Sequence, residues 1–188
     1  MKDRVQKIKE VIKEISWSGP GEAYSDTGKV NPIRDDTQAL LTGIVAAHKP
    51  ATILEIGMAH GLSALCMLMG YTRAKLTTCE FHQPNIPIAT KNFDEAGVEV
   101  EIWNGDAGVS IVENDALFDL VFIDHEKKLY LPHFQLLEEK RMLRSGCVVL
   151  ADNVNDRRTE CQDFVTYMEE KYHAKIIETE CGLLIAKL

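Results

Sequence analysis

The sequence predicts an α/β fold of Rossmann-like type: a mostly parallel, seven-stranded sheet with helices on both faces and one antiparallel strand from a C-terminal hairpin. Three observations carry this. Short β-branched or apolar runs alternate with helix-like stretches, the β-α-β order that parallel sheets require. A glycine turn, Gly57-Met58-Ala59-His60-Gly61, leads from the first run into a helix. The last two runs are separated by little more than Cys181 and Gly182, which allows a hairpin but no crossover.

Residues 3 to 15 and 35 to 48 read as helices, joined by the Gly, Pro and Ser rich segment SWSGPGEAYSDTGKVNP, a candidate lid. The runs ATILEIG (51 to 57), KLTTCEF (75 to 81), VEVEIW (98 to 103), FDLVFID (118 to 124) and CVVLADN (147 to 153) each have the length and composition of a strand. Between them, 62 to 71, 85 to 96, 107 to 114 and 131 to 143 read as helices, the last through Phe134, Leu136, Leu137, Met142 and Leu143. A helix over 156 to 172 precedes the closing strands KIIETE and GLLIAKL. No repeat, linker or charge block divides the chain, so residues 1–188 are expected to form one domain, with helices and lid in 1–50 and the core in 51–188.

The 188 residues carry a net charge of -8, which repels phosphate backbones and speaks against general nucleic-acid binding. No run approaches the ~20 apolar residues of a membrane span, and the charged N-terminus is unlike a signal peptide, so a cytoplasmic protein is expected. The five cysteines are odd in number and lack C-x-x-C spacing, the pattern of reduced, structural thiols. His60, His82, His133 and His173 show no metal-ligand spacing and are expected to be surface or packing residues.

Ligands of open parallel sheets bind at the carboxyl ends of the strands. There the first strand offers Glu55 and Gly57, then Gly61, in a G-x-x-x-G spacing that differs from the dinucleotide fingerprint and disfavours NAD. The second strand ends in Glu80, an acid suited to ribose hydroxyls, so a nucleoside-bearing cofactor is expected. The fourth and fifth strands end in Asp124 and in Asp152-Asn153, an all-oxygen set suited to a hard cation such as Mg²⁺ or Mn²⁺. Lys127, three residues past Asp124, is placed to take a proton from a hydroxyl; the alternative is a solvated lysine beside two capping aspartates.

With these residues in view, the chain resembles the catechol O-methyltransferase family of class I, S-adenosylmethionine-dependent and metal-dependent enzymes. The resemblance rests on FDLVFIDHEKKLYLPHFQLLEEKRMLRSGCVVLADNV (118 to 154), on LEIGMAHGLSAL and on CEF, and covers about two thirds of the chain. It implies that Asp124, Asp152 and Asn153 hold Mg²⁺, that Lys127 is the general base and that Glu80 binds ribose. It further implies that Glu55, Gly57 and Ser63 surround the methionine part, with Val30 and Asn31 closing over it. Asp106, Ala107 and His125 fall at the adenine. An acid for the second substrate hydroxyl maps to Glu178, with Glu180 competing for the role because the closing hairpin is short.

The implied reaction is methyl transfer to a metal-chelated vicinal hydroxyl of a small catechol-like aromatic. Glu126 replaces the tryptophan that the animal enzymes carry beside the catalytic lysine, and Asn155-Asp156-Arg157-Arg158 follows the metal pair where they have a proline. Both changes make the pocket mouth more polar and suit an acceptor bearing an acid, unless the arginines are a solvated helix start. The alternatives are a methyltransferase for a non-catechol acidic metabolite or a macromolecule, and a non-catalytic cofactor-binding module.

Overall fold

The computed structural model describes residues 2–17, 32–155 and 158–188. Its centre is a seven-stranded sheet of β1 (Thr52–Ile56), β2 (Lys75–Glu80), β3 (Val100–Asn104), β4 (Phe118–Ile123), β5 (Leu143–Ala151), β6 (Lys175–Ile177) and β7 (Leu183–Lys187). The spatial order is β3-β2-β1-β4-β5-β7-β6, with β7 antiparallel to both neighbours and the other pairings parallel. The short link before β7 forces that reversal, as the hairpin spacing predicts.

Helices α1 (Lys2–Trp17), α2 (Asp35–His48), α3 (Leu62–Gly70) and α4 (Asn85–Ala96) cover one face. Helices α5 (Ala107–Glu113), α6 (Tyr130–Glu139) and α7 (Arg158–Tyr172) cover the other. Alternation along the strands divides the core accordingly: Leu54 and Ile56 pack toward α5 to α7, whereas Ile53 packs toward α1 to α4. All five cysteines are buried, and Cys66, Cys79, Cys147 and Cys161 lie within the core.

Two boundaries differ from the sequence reading. Helix α6 ends at Glu139, and β5 starts at Leu143, four residues before the predicted Cys147. Arg141 takes a left-handed conformation (φ 57°), which breaks the helix, and Met142 pairs through its carbonyl with the Phe118 N–H at 2.8 Å. Periodicity continued through Met142 and Leu143 because both are apolar; they serve the sheet end instead. Arg144 is therefore a strand residue, ion-paired to Asp119 at 3.4 Å.

Among the described residues no helix is long and apolar enough to cross a membrane.

Candidate active site

The carboxyl ends of β1, β2, β3 and β4 open onto a cavity of about 620 Å³. Gly57, Glu80, Asp106, Ala107, Asp124 and His125 lie in its wall. Gly57 has φ 105°, and a Cβ there would stand 2.2 Å from the Asp124 carbonyl oxygen, so the first turn passes the fourth strand end only as glycine. Gly61 (φ 86°) is tied down similarly, because a Cβ would meet the Phe93 ring at 2.6 Å.

Glu80 holds this turn open. Its Oε2 accepts the Ala59 N–H at 2.7 Å and its Oε1 the His82 N–H at 2.6 Å, leaving the remaining lone pairs toward the cavity. Asp106 caps α5 by accepting the Val109 N–H at 3.1 Å. Phe81, next to Glu80, lines the cavity while 74% exposed, an apolar ring with one face unused.

Glu55 lies beneath the turn, in register with Thr78 of β2 and wholly buried. Thr78 Oγ1 bonds its Oε2 at 2.6 Å and Ser63 Oγ its Oε1 at 2.5 Å. Burial outweighs both bonds and pushes its pKa up to about 8, so the carboxyl is protonated at neutral pH.

The acidic pair sits beside the cavity. Ile123 and Ala151 are register partners, so Asp124 and Asp152, one residue further on, end adjoining strands ~5 Å apart along the sheet. Asp152 is buried, accepts the Thr37 hydroxyl at 3.2 Å, and has its pKa pushed up to about 7 by burial and by Asp124. Asn153 follows with φ 60°. Lys127 Nζ lies 2.9 Å from Asp124 Oδ1 and 2.6 Å from the Tyr130 hydroxyl, which in turn donates to the Asp152 carbonyl at 3.0 Å. Lysine, tyrosine and both aspartates thus form one connected unit.

Two carboxylates and an amide are hard oxygen donors, and the Asp124 charge adds to burial in disfavouring ionisation of Asp152, a conflict that a bound cation would relieve. The set fits a divalent cation whose remaining ligands are water and substrate. Among the described residues no group of three or more His, Cys, Asp or Glu forms a self-sufficient metal cage.

His125 and His133 meet in the cavity wall, with His125 Nε2 2.9 Å from His133 Nδ1 and the rings only 6° from parallel. His133 is buried against His125, in keeping with the packing residue its isolated position in the sequence suggests. Burial pushes the pKa of His133 down and that of His125 to about 3, so both rings are neutral at pH 7.

Val30 and Asn31 lie outside the described residues, as do Asp156 and Arg157. Glu178 is exposed just past β6. Glu180 donates its N–H to Asp36 Oδ2 at 2.7 Å, and its carboxylate meets Arg34 Nε at 3.4 Å. That places Glu180 against the start of α2, beside Thr37 and hence Asp152.

Sequence reasoning passed over Tyr130, Thr37 and Asn85. Tyr130 carries a signal, a buried phenol three residues from the lysine it holds. Thr37 reaches Asp152 across 115 positions and carries none.

A ligand crevice at the carboxyl ends of a mostly parallel sheet, with one antiparallel strand, defines a Rossmann-like α/β protein. The chain belongs to the O-methyltransferase family, whose model matches residues 21–173. It is 36% identical to the catechol O-methyltransferase of Sus scrofa over 149 residues, covering 67% of this chain and 79% of that one. It is 32% identical to the Bos taurus enzyme of the same name over 158 residues, 72% of this chain and 56% of that one, so it spans little more than half of some relatives. Among solved structures, an O-methyltransferase from Bacillus cereus in complex with S-adenosylhomocysteine superposes with a TM-score of 0.80 at 20% identity, covering 97% of this chain and 90% of that one. The S-adenosylhomocysteine-bound methyltransferase PaMTH1 of Podospora anserina gives 0.81 at 20% identity, covering 97% and 88%. These two share the fold.

Proposed function

We propose that the protein transfers the methyl group of S-adenosylmethionine to one hydroxyl of a vicinal diol on a small aromatic acceptor. The observation that carries this is the unit Lys127–Tyr130–Asp124–Asp152, set directly beside a nucleoside-sized cavity with Glu80 in its wall. Solved family-fold structures that hold S-adenosylhomocysteine support the choice of cofactor.

In this reading Glu80 receives the ribose hydroxyls on the lone pairs that Ala59 and His82 leave free. Gly57 and the turn after it admit the methionine part, which Val30 and Asn31 close over. Glu55 accepts the Ser63 hydroxyl at 2.5 Å and the Thr78 hydroxyl at 2.6 Å, which fixes Ser63 beside the methionine part of the cofactor. Asp106, Ala107 and His125 bound the base.

Asp124, Asp152 and Asn153 would hold a divalent cation such as Mg²⁺, which would supply positive charge to acidify an acceptor hydroxyl. Lys127, with only 12% of its side chain exposed and its head fixed by Tyr130, takes the hydroxyl proton when it is present as the neutral amine. The oxygen forms its bond to the methyl carbon as the carbon–sulfur bond breaks, and S-adenosylhomocysteine leaves. Position and orientation account for most of the acceleration expected of such a displacement. For the acid beside the second hydroxyl this reading takes Glu180 over Glu178, because the Glu180 N–H donates to Asp36, next to Thr37.

The test is a methyl-transfer assay with labelled S-adenosylmethionine and a catechol panel, with Mg²⁺, with Mn²⁺ and with excess EDTA. Turnover that requires the cation and is lost in Lys127→Met supports the reading. Full activity in chelator refutes the metal-dependent mechanism.

A further inference from the structure

The cavity wall holds polar groups to which the cofactor assignment above gives no role. Asn85, the first residue of α4, is 5% exposed and lines the cavity, yet its Oδ1 has no hydrogen-bond partner among the described residues. His125 Nδ1 is likewise buried and without a partner. An amide oxygen left unpaired at such burial is costly unless a ligand completes it.

The two imidazoles make a directed pair. Their 2.9 Å N···N distance is shorter than the ~3.5 Å contact of stacked ring atoms, so the nearly parallel rings meet edge to edge and present a flat surface. An orphaned N–H is rarer than an orphaned acceptor. With the unpartnered His125 Nδ1 assigned as the bare nitrogen, His125 Nε2 carries the proton and donates to His133 Nδ1. His133 is left with its proton on Nε2, the atom that stands 3.1 Å from a Cβ built at Gly108. A larger side chain at Gly108 would crowd that donor.

Asn85 and His133 line the same cavity as Asp106, Ala107 and His125, the residues that the cofactor reading sets around the base, and His133 meets His125 at 2.9 Å. We propose that Asn85 and His133 are specificity-determining residues that read the edge of the purine, Asn85 through the exocyclic amino group and His133 Nε2–H through a ring nitrogen. The inference rests on the cofactor reading above and adds to it two contacts from outside its residue set.

The experiment is calorimetric titration of the full chain with S-adenosylhomocysteine, its 1-, 3- and 7-deaza analogues and the analogue lacking the 6-amino group. Wild type, Asn85→Ala and His133→Phe are compared, with thermal melts to verify folding. In the wild type, one deaza analogue and the deaminated analogue each bind about tenfold more weakly. In His133→Phe the deaza penalty disappears, and in Asn85→Ala the amino penalty disappears, the non-additivity expected of groups in contact. A wild type that binds S-adenosylhomocysteine but is indifferent to every analogue overturns the inference and leaves the cofactor reading intact. A penalty that persists unchanged in a variant overturns the role of that residue. Failure of the wild type to bind S-adenosylhomocysteine overturns the cofactor reading and this one together. The analogue series in the wild type decides even where a variant does not fold.

Discussion

Replacing Tyr130 with Phe removes one oxygen from the centre of the site and leaves the ring that packs at 5.5 Å from Phe164 and 5.2 Å from His125. The residue is wholly buried, so water cannot substitute for the lost hydroxyl. Burial, Asp124 and Asp152 hold its pKa well above the ordinary tyrosine value, and the O–H is present at every pH of interest. Two interactions go: the donation to the Asp152 carbonyl at 3.0 Å and the acceptance from Lys127 at 2.6 Å. The first leaves a buried carbonyl short of a partner, and the second is a charge-assisted bond partly replaced by the remaining contact of Lys127 with Asp124. Together they are worth about 2 to 4 kcal/mol. At ~2 to 4 °C per kcal/mol for a domain of this size, Tm should fall by roughly 4 to 15 °C. Calorimetric melts of the metal-free protein measure this. Lys127→Met and the double variant complete a cycle in which the two losses overlap. A fall under 2 °C, or strictly additive losses, would refute the connected unit. In the transfer assay the variant should lose kcat more than KM, since the hydroxyl positions the base and not the acceptor.

Glu80→Ala should weaken S-adenosylhomocysteine by about 1 to 3 kcal/mol in calorimetry, and unchanged affinity would remove Glu80 from the site. Glu55 is raised from 4.5 to about 8 in the folded protein, so the native state holds a proton that the unfolded state has lost between those limits. Its contribution is complete below pH 4.5 and drains as pH rises, by ~1.4 kcal/mol per pH unit at most. Glu55→Gln should flatten urea-derived stability between pH 5 and 8, and an identical slope in variant and wild type counts against the buried acid. Glu180→Gln should raise KM for a catechol, with Glu178→Gln near wild type; the reverse ranking would return the substrate-side role to Glu178. A carboxylated catechol such as caffeate should exceed dopamine in kcat/KM, and Arg157→Ala should erase the difference through KM if that arginine holds the acid.

The parts that sequence made legible are those where a local constraint and the global order agree. Alternating runs place five parallel strands, and the few residues between KIIETE and GLLIAKL require the hairpin. Gly57 was readable as a close approach because a strand runs into a helix there, although its counterpart, the Asp124 carbonyl, lies 67 residues away. The α6 boundary misled because Met142 and Leu143 extend an apolar period that the left-handed Arg141 cuts, and a residue that is not glycine gives no warning of φ 57°. His133 has only an isolated imidazole in sequence; its meaning comes from His125, which α6 brings to 2.9 Å.

The acceptor side is harder to read than the cofactor side for a topological reason. The cofactor cavity is walled in good part by residues at or just past strand ends, Gly57, Glu80, Asp106 and Asp124, so each announces itself where an apolar run stops. The neighbouring acidic site takes support from elements remote in the chain: Thr37 from the start of α2, Tyr130 from the start of α6, and Glu180 through Asp36. These side chains sit at helix starts and in a hairpin link, where polar residues are ordinary and carry no signal of their own. Substituting them can therefore alter acceptor binding while β1 to β4 and the cofactor cavity stay intact. Thr37→Val tests that separation: it removes the hydroxyl that Asp152 accepts at 3.2 Å while keeping the branched shape. Acceptor KM and apparent affinity for Mg²⁺ should shift, with S-adenosylhomocysteine affinity measured without metal held within about twofold. A larger change in cofactor affinity would show that the two halves of the site are not independent.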